Sequence, residues 1–110
     1  MNDIKLLGRL AKTPEIKYTS NGKQYSWFTV AVSRQSKKDE VDFIRCVVFG
    51  SIAEALVKYC QKGRQVLVQG RLEVNTLQDK ATGEYKTHHQ VVAQQVNFLH
   101  DPNQQRMAQY

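Results

Sequence analysis

Period-two alternation of apolar and polar residues is the feature that most constrains the fold of this chain. Phe28, Val30 and Val32 alternate with smaller or more polar side chains, which is typical of a half-buried β-strand. The Asn21-Gly22 pair before them readily adopts the positive φ of a tight hairpin turn. The sequence therefore predicts a protein built mainly from strands joined by turns.

Four further segments have the composition of strands. They are Ile4 to Leu10, Phe43 to Phe49, Val66 to Val74 and Val91 to Leu99. Polar stretches separate several of them, with a turn at Asp79 to Glu84 before the last. Gly70 lies inside the fourth strand, where it predicts a bulge or a close approach of another backbone.

One segment has a helical period instead. Ile52, Leu56 and Cys60 recur every four residues, which predicts a short helix over about residues 51–62. Ser51 and Glu54 have the spacing of a capping box at its start, and Gly63 suits a left-handed stop after its end.

The order of these elements predicts the fold. A five-stranded Greek-key barrel with its helix between strands 3 and 4 is an OB-fold, an all-β class whose ligands include oligonucleotides and oligosaccharides. A chain of 110 residues can form one such core, so an enzyme with separate cofactor and substrate domains is excluded. We expect residues 1–100 to form this domain and residues 101–110 to be a short, polar, flexible C-terminal tail.

Charge and composition favour a polyanion as the partner. The formal net charge is +6, and the basic residues concentrate in the first two thirds of the chain. The apolar runs are far shorter than the roughly 20 residues of a membrane span, and the first residues show no secretion signal. Two cysteines are too few for a disulfide framework, so we expect reduced thiols and a cytoplasmic location.

The residues form no pattern typical of a catalytic or metal site. No glycine-rich phosphate loop, nucleophile elbow or metal-ligand spacing is present. His88 and His89 would point to opposite faces of a strand, so they cannot share one metal ion. Asp39, Glu40 and Asp42 could hold a divalent cation, but a charged hairpin tip is the favoured interpretation. We therefore expect no enzymatic activity, no metal and no cofactor.

The third predicted strand carries the strongest binding signal. Alternation places Phe43, Arg45, Val47 and Phe49 on one face and Ile44, Cys46 and Val48 on the other. The second set suits a core, whereas two rings around a guanidinium suit stacked bases and phosphates. The alternative is that Phe43 and Phe49 pack against the helix or another subunit while Arg45 extends to solvent.

An ordered series of segments resembles the bacterial single-stranded DNA-binding protein family over nearly all of residues 1–100. The segments are Leu7 to Leu10, Pro14 to Gly22, Phe28 to Val32, Asp42 to Gly50, Ala53-Glu54, Tyr59, Lys62-Gly63, Val66 and Gly70 to Leu72. The resemblance implies a protein that binds and protects single-stranded DNA with little sequence preference during replication, recombination or repair. It also implies a homotetramer, a dimer of dimers.

The resemblance further implies which residues face the DNA. It assigns that role to Phe43, Arg45 and Phe49, and by a weaker match to Lys17, Tyr18 and Lys62. Arg64 is added for its charge beside Lys62. Trp27, on the outer face of the second predicted strand, is expected either to stack on a base or to lie in a subunit interface.

Three departures from the family pattern keep an alternative open. Ser36 stands where the family has an aromatic residue, and Glu73 to Leu77 is acidic and non-aromatic where the family is basic with a ring. The sequence ends at Tyr110 without the family's acidic tip, so tail-mediated recruitment of other replication proteins is not expected. The alternative function is a dimeric OB-fold adaptor in primosome assembly or replication restart, which would resemble primosomal replication protein N.

Overall fold

The computed structural model describes residues 1–37 and 39–99, and this part of the chain forms six strands and one helix. The elements are β1 (Ile4–Leu10), β2 (Lys17–Tyr18), β3 (Gln24–Ser33), β4 (Val41–Phe49), α1 (Ser51–Tyr59), β5 (Gln65–Gln78) and β6 (Tyr85–Phe98). The tail expected at residues 101–110 lies outside the described residues. No helix in the described part is long and apolar enough to cross a membrane.

Five of the strands close into a barrel. The hydrogen-bonded order is β1-β5-β6-β4-β3, and β3 returns to β1 through Arg9 opposite Ala31 and Leu10 opposite Val30. All neighbouring strands are antiparallel except β4 and β6, which are parallel at Cys46 opposite Val91. This closed ring confirms the predicted all-β OB-fold.

The helix lies between β4 and β5, whereas the sequence placed it between strands 3 and 4. The numbers differ because the structure has one strand that was not predicted, and among the five barrel strands the helix still follows the third. The extra strand is β2, which pairs Lys17 with Tyr25 and Tyr18 with Gln24. Two residues are too few to show alternation, so no pattern in the sequence indicates this strand. The barrel strands themselves are the five that were predicted.

The start of α1 differs from the predicted capping box. Gly50 is the N-cap residue, with φ of 73°, and no side chain caps the helix. Because Gly50 turns the chain sharply after β4, Ser51 is already helical and lies too far along to cap. Glu54 instead accepts a hydrogen bond at Oε2 from Gln24 Nε2, at 3.2 Å.

The end of α1 also differs from the prediction. The helix ends at Tyr59, and Cys60 is already extended, with φ of −119°. Gly63 does have a positive φ of 92°, as the sequence suggested. It lies in a separate turn, however, in which the Arg64 N–H donates to the Gln61 carbonyl at 3.1 Å.

The core fills the barrel and is closed at one end by α1. Val30, Val48, Val66, Val68 and Val91 are fully buried inside the barrel. Ala53 and Leu56, also fully buried, anchor the helix against them. Cys46 and Cys60 are buried members of the same core.

Beyond the barrel, β5 and β6 continue together as a long hairpin that ends at Gln78 opposite Tyr85. The pairing register shifts at Gly70, because Gln69 pairs with Gln95 and Gly70 pairs with Ala93. A Cβ atom on Gly70 would overlap the backbone carbonyl oxygen of Val92. Gly70 therefore provides both the bulge and the close backbone approach that the sequence predicted.

Candidate nucleic-acid interface

The outer face of β3 and β4 presents aromatic and cationic side chains side by side. The antiparallel register places Tyr25 opposite Phe49, Trp27 opposite Val47, Thr29 opposite Arg45 and Ala31 opposite Phe43. Phe43 is 69% exposed and Phe49 is 39% exposed, although both are large apolar rings. Val47 shares this face but is buried, while Cys46 and Val48 point into the core as predicted.

Arg45 and Trp27 are in direct contact. The guanidinium carbon of Arg45 lies 4.1 Å from the centroid of the Trp27 ring, which is a close cation–π geometry. This pair forms one wall of a groove of about 490 Å³ that also includes Lys12 and Lys17. We call this depression, defined by Lys12, Lys17, Trp27 and Arg45, the basic groove.

A second groove, of about 480 Å³, lies on the other side of Trp27. Its aromatic side chains are Tyr25, Trp27 and Phe49, and Val47 and Val92 provide apolar surface. The Tyr25 and Phe49 ring centroids are 6.0 Å apart, in a tilted arrangement. We call this depression the aromatic groove, and it also contains Arg71, Glu73 and Gln90 from the base of the β5–β6 hairpin.

Trp27 lines both grooves, so the two form one track across the barrel surface. Rings at the surface offer faces on which nucleic-acid bases can stack, and nearby cations can meet the phosphates between them. Lys23 adds a further cation beside the track, with its Nζ 5.0 Å from the centroid of the Phe49 ring. The track therefore has the chemistry of a flexible, single-stranded polyanion site.

The remaining predicted site residues are placed less uniformly. Lys17 lines the basic groove, whereas the neighbouring Tyr18 is 63% exposed and lines neither groove. Phe43 also lines neither groove and projects to solvent beyond the basic one. Lys62 is exposed, and its backbone N–H donates to Thr13 Oγ1 at 3.0 Å, close to the basic groove.

Arg64 has structural contacts that its sequence position did not reveal. Its Nε donates to the Leu99 carbonyl at 3.0 Å, and its Nη1 donates to the Tyr59 carbonyl at 3.3 Å. Its guanidinium carbon also lies 6.0 Å from the centroid of the Phe98 ring. Arg64 therefore connects the end of α1 to the end of β6, and a contact with DNA stays a prediction.

The sequence analysis missed several aromatic and cationic side chains of the track. They include Lys12, Tyr25 and Arg71, which line the grooves, and Lys23, which lies over the Phe49 ring. Alternation could have identified Tyr25, because it lies two residues before Trp27 on the same face of β3. Lys12 and Arg71 reach the grooves from segments distant in sequence, which no local pattern shows.

Acidic residues on either side of the start of β4 pair with a nearby arginine. Arg34 Nη1 lies 2.9 Å from Glu40 Oε2, and Arg34 Nη2 lies 2.9 Å from Asp42 Oδ1. The hydrogen bond to Asp42 and its charge raise the pKa of the Arg34 guanidinium. Within residues 1–37 and 39–99, no group of three or more His, Cys, Asp or Glu side chains is arranged to hold a metal ion.

Comparison with known proteins identifies the family. The sequence model described as "Single-strand binding protein family" matches residues 1–99. A single-stranded DNA-binding protein of Clostridium perfringens is 39% identical over 94% of this chain and 69% of its own length. One from Fusobacterium nucleatum is 42% identical, covering 89% of this chain and 66% of its own length. Single-stranded DNA-binding protein 1 of Clostridium acetobutylicum is 41% identical, covering 90% of this chain and 94% of its own length. The chain belongs to the single-strand binding protein family.

Proposed function

We propose that this protein binds and protects single-stranded DNA, with little sequence preference, during replication, recombination or repair. The observation that carries the proposal is the Trp27–Arg45 contact at 4.1 Å, which joins the basic and aromatic grooves into one track. The names of the family and of the relatives support the same function.

The chemistry of binding follows from the two grooves. Bases would stack on Trp27 and Phe49 in the grooves and on the exposed ring of Phe43 outside them, since every base has a π-face and such stacking tolerates any sequence. Lys12, Lys17 and Arg45 would meet the phosphates of the same strand. Duplex DNA would be excluded from this mode because its bases are already stacked inside the helix.

The adaptor alternative is not favoured. The relatives reported above carry the name of single-stranded DNA-binding protein. The departures at Ser36 and at Glu73 to Leu77 remove possible stacking and phosphate contacts, but Phe43 and Phe49 keep their exposed rings.

The proposal includes a homotetramer, arranged as a dimer of dimers. Support comes from β1, whose residues Ile4–Gly8 pair with β5 on one side, whereas its pairing with β3 within the described residues is confined to Arg9 and Leu10. A strand edge with free backbone groups can pair with another copy of the chain. Exposed Leu7 and Val41 line a groove beside this edge, which would supply apolar contact area.

The proposal also includes a non-catalytic mode of action and a cytoplasmic location. Membership of the family supports both. Binding is expected to need neither a metal nor a cofactor. Incubation with labelled single strands in the presence of Mg²⁺ should leave the strands intact, and cleavage would contradict the non-catalytic part.

The direct test uses Trp27, the only tryptophan of the sequence, as an internal probe. A mixed-sequence single-stranded oligonucleotide should quench or shift the Trp27 fluorescence in a saturable titration. The same sequence as a duplex should bind much more weakly. The proposal is wrong if neither form binds at low salt, or if the duplex binds as well as the single strand.

A further inference from the structure

The aromatic groove contains one feature that stacking does not explain, the carboxylate of Glu73. Glu73 lies on β5 opposite Gln90 of β6, and both side chains line the groove beside Tyr25, Trp27 and Phe49. A negative charge repels the phosphates of a bound strand. The part of a nucleotide that can approach Glu73 favourably is therefore its base.

Two neighbours hold the carboxylate in place. Gln90 Nε2 donates to Glu73 Oε1 at 3.2 Å, and Arg71 Nη2 lies 3.5 Å from Glu73 Oε2. Each carboxylate oxygen has two lone pairs, so both oxygens can accept a further hydrogen bond without losing these contacts. Arg71 also offsets part of the charge, which lowers the cost of bringing a base into the groove.

The donor and acceptor pattern of the bases decides which of them fit. An ionised carboxylate only accepts hydrogen bonds, so its partner must present donors. Cytosine presents its N4 amino group, and carboxylates are recognised partners of that group. Thymine and uracil present the O4 carbonyl at the same position, and their one donor on this edge, N3–H, lies between the O2 and O4 carbonyls, so a carboxylate that approaches it also faces these acceptors.

From this geometry we infer that the aromatic groove is a base-reading site, in which Glu73 favours bases with an exocyclic amino group over thymine and uracil. The inference rests on the proposed function, since it assigns a bias to the same DNA-binding track. The bias concerns base composition at one groove and is compatible with binding many different sequences. Glu73 acts as a specificity-determining residue, and Gln90 and Arg71 position it.

The test compares two oligonucleotides whose bases differ in the group at C4 of the pyrimidine. Oligodeoxycytidylate and oligodeoxyuridylate of equal length have pyrimidines of the same size, with an amino group or a carbonyl at C4. We expect the wild-type protein to bind the cytosine strand at least about five-fold more tightly than the uracil strand. This ratio is at the lower end of the discrimination that one specific base contact provides. Both titrations are made at the same pH and salt, followed by Trp27 fluorescence.

Glu73→Gln is the variant that removes the carboxylate while keeping the size of the side chain. It should raise affinity for the uracil strand, because the carboxylate that faces the O4 carbonyl is lost, and bring the ratio of the two affinities close to one. Glu84→Gln is the matched control, since it removes the same charge from the exposed turn of the same hairpin, away from the groove. It should keep the wild-type ratio.

The outcomes separate the two proposals. Equal binding of the two strands by the wild-type protein, or tighter binding of the uracil strand, overturns the base-reading site and leaves the proposed function intact. A ratio unchanged in Glu73→Gln overturns the role of Glu73. Failure of the wild-type protein to bind any single strand overturns the proposed function, and the base-reading site with it.

Discussion

Phe43 and Phe49 test the interface most directly at the scale of single residues, because both rings are exposed in a strand whose alternate residues form the core. Phe43→Ala and Phe49→Ala should each weaken single-strand binding by roughly 1–3 kcal/mol, the usual loss for one base–aromatic stack. The melting temperature should change little for Phe43→Ala, and somewhat more for Phe49→Ala because its ring contacts Tyr25.

Phe28 provides the matched control for this experiment, since it is only 4% exposed and lies in the core. Phe28→Ala should cost roughly 3–5 kcal/mol of folding free energy through loss of burial and a cavity. Thermal melting and oligonucleotide affinity are measured on all three variants. If Phe43→Ala and Phe49→Ala melted early and bound normally, both rings would be packing residues, as the alternative interpretation of the sequence held.

The buried thiol of Cys46 should make the free energy of unfolding depend on pH. Burial raises the pKa of its thiol to about 12, above the ordinary value of 9.0. Above pH 9 the unfolded chain loses this proton while the folded chain keeps it, so the free energy of unfolding falls as pH rises. The decline contributed by Cys46 should approach about 1.4 kcal/mol per pH unit between the two values.

The measurement is urea denaturation of the wild type and Cys46→Ala at several pH values from 8 to 11. Other groups titrate in the same range, so the difference between the two proteins isolates the contribution of Cys46. Cys46→Ala should lose less stability between pH 8 and pH 11 than the wild type. Parallel curves for the two proteins would contradict the assigned burial effect.

Residue patterns in the sequence predicted outward and inward positions better than they predicted partners. Alternation correctly separated exposed Phe43 and Phe49 from buried Cys46 and Val48. It could not show that the Arg64 side chain donates hydrogen bonds to the carbonyls of Leu99 and Tyr59, because those residues come close to Arg64 only in the folded chain. Charge beside Lys62 was therefore an insufficient guide to the role of Arg64.

At the scale of elements, the long strands were predictable and the short features were not. The five barrel strands each bury a regular set of side chains, which leaves a visible period in the sequence. The two-residue β2 has no such period and depends on pairing with β3. The start of α1 was misplaced because Ser51 and Glu54 match a capping box, whereas the positive φ of Gly50 sets the boundary.

Among the strands, the clearest prediction concerns a substitution at Gly70. Gly70→Ala would place a Cβ against the carbonyl oxygen of Val92, and backbone cannot move aside as a flexible side chain can. We expect a loss of roughly 1–3 kcal/mol in the free energy of unfolding, the usual cost of overpacking. Gln94→Ala, at the exposed extra residue of the same bulge, should stay within about 0.5 kcal/mol of wild type. Equal stability of Gly70→Ala and wild type would show that the two strands can separate at little cost.

At the scale of the whole molecule, the proposed tetramer should be detected in sedimentation at micromolar concentration. Closed symmetry would repeat the groove track on every protomer and let one strand of DNA pass from copy to copy. Leu7→Glu would place a charge beside the partly unpaired edge of β1, so it should shift the assembly toward smaller species while leaving the barrel core untouched. A stable wild-type monomer would contradict the tetramer, and a stable dimer would revive the adaptor interpretation.

The salt dependence of binding depends on how many cations of the molecule remain available for phosphates. Arg34, Lys37 and Arg71 are already paired with carboxylates of the same chain. Lys12, Lys17 and Arg45 of the basic groove take part in no ion pair within the described residues. Each phosphate neutralised on a single strand contributes about −0.7 to the slope of log affinity against log salt, so three contacts predict a slope of roughly −2 per chain.

Arg45→Gln should make that slope shallower by roughly 0.7, because it removes one of these three cations. Arg34→Gln is the control with the same change of charge, and its slope should match the wild type since Arg34 is paired with Asp42 and Glu40. Affinities are measured by Trp27 fluorescence at four or more salt concentrations. A slope near zero for the wild type would mean that stacking alone holds the strand. Equal changes in the two variants would mean that net charge, rather than the position of Arg45 over Trp27, governs the electrostatic part of binding.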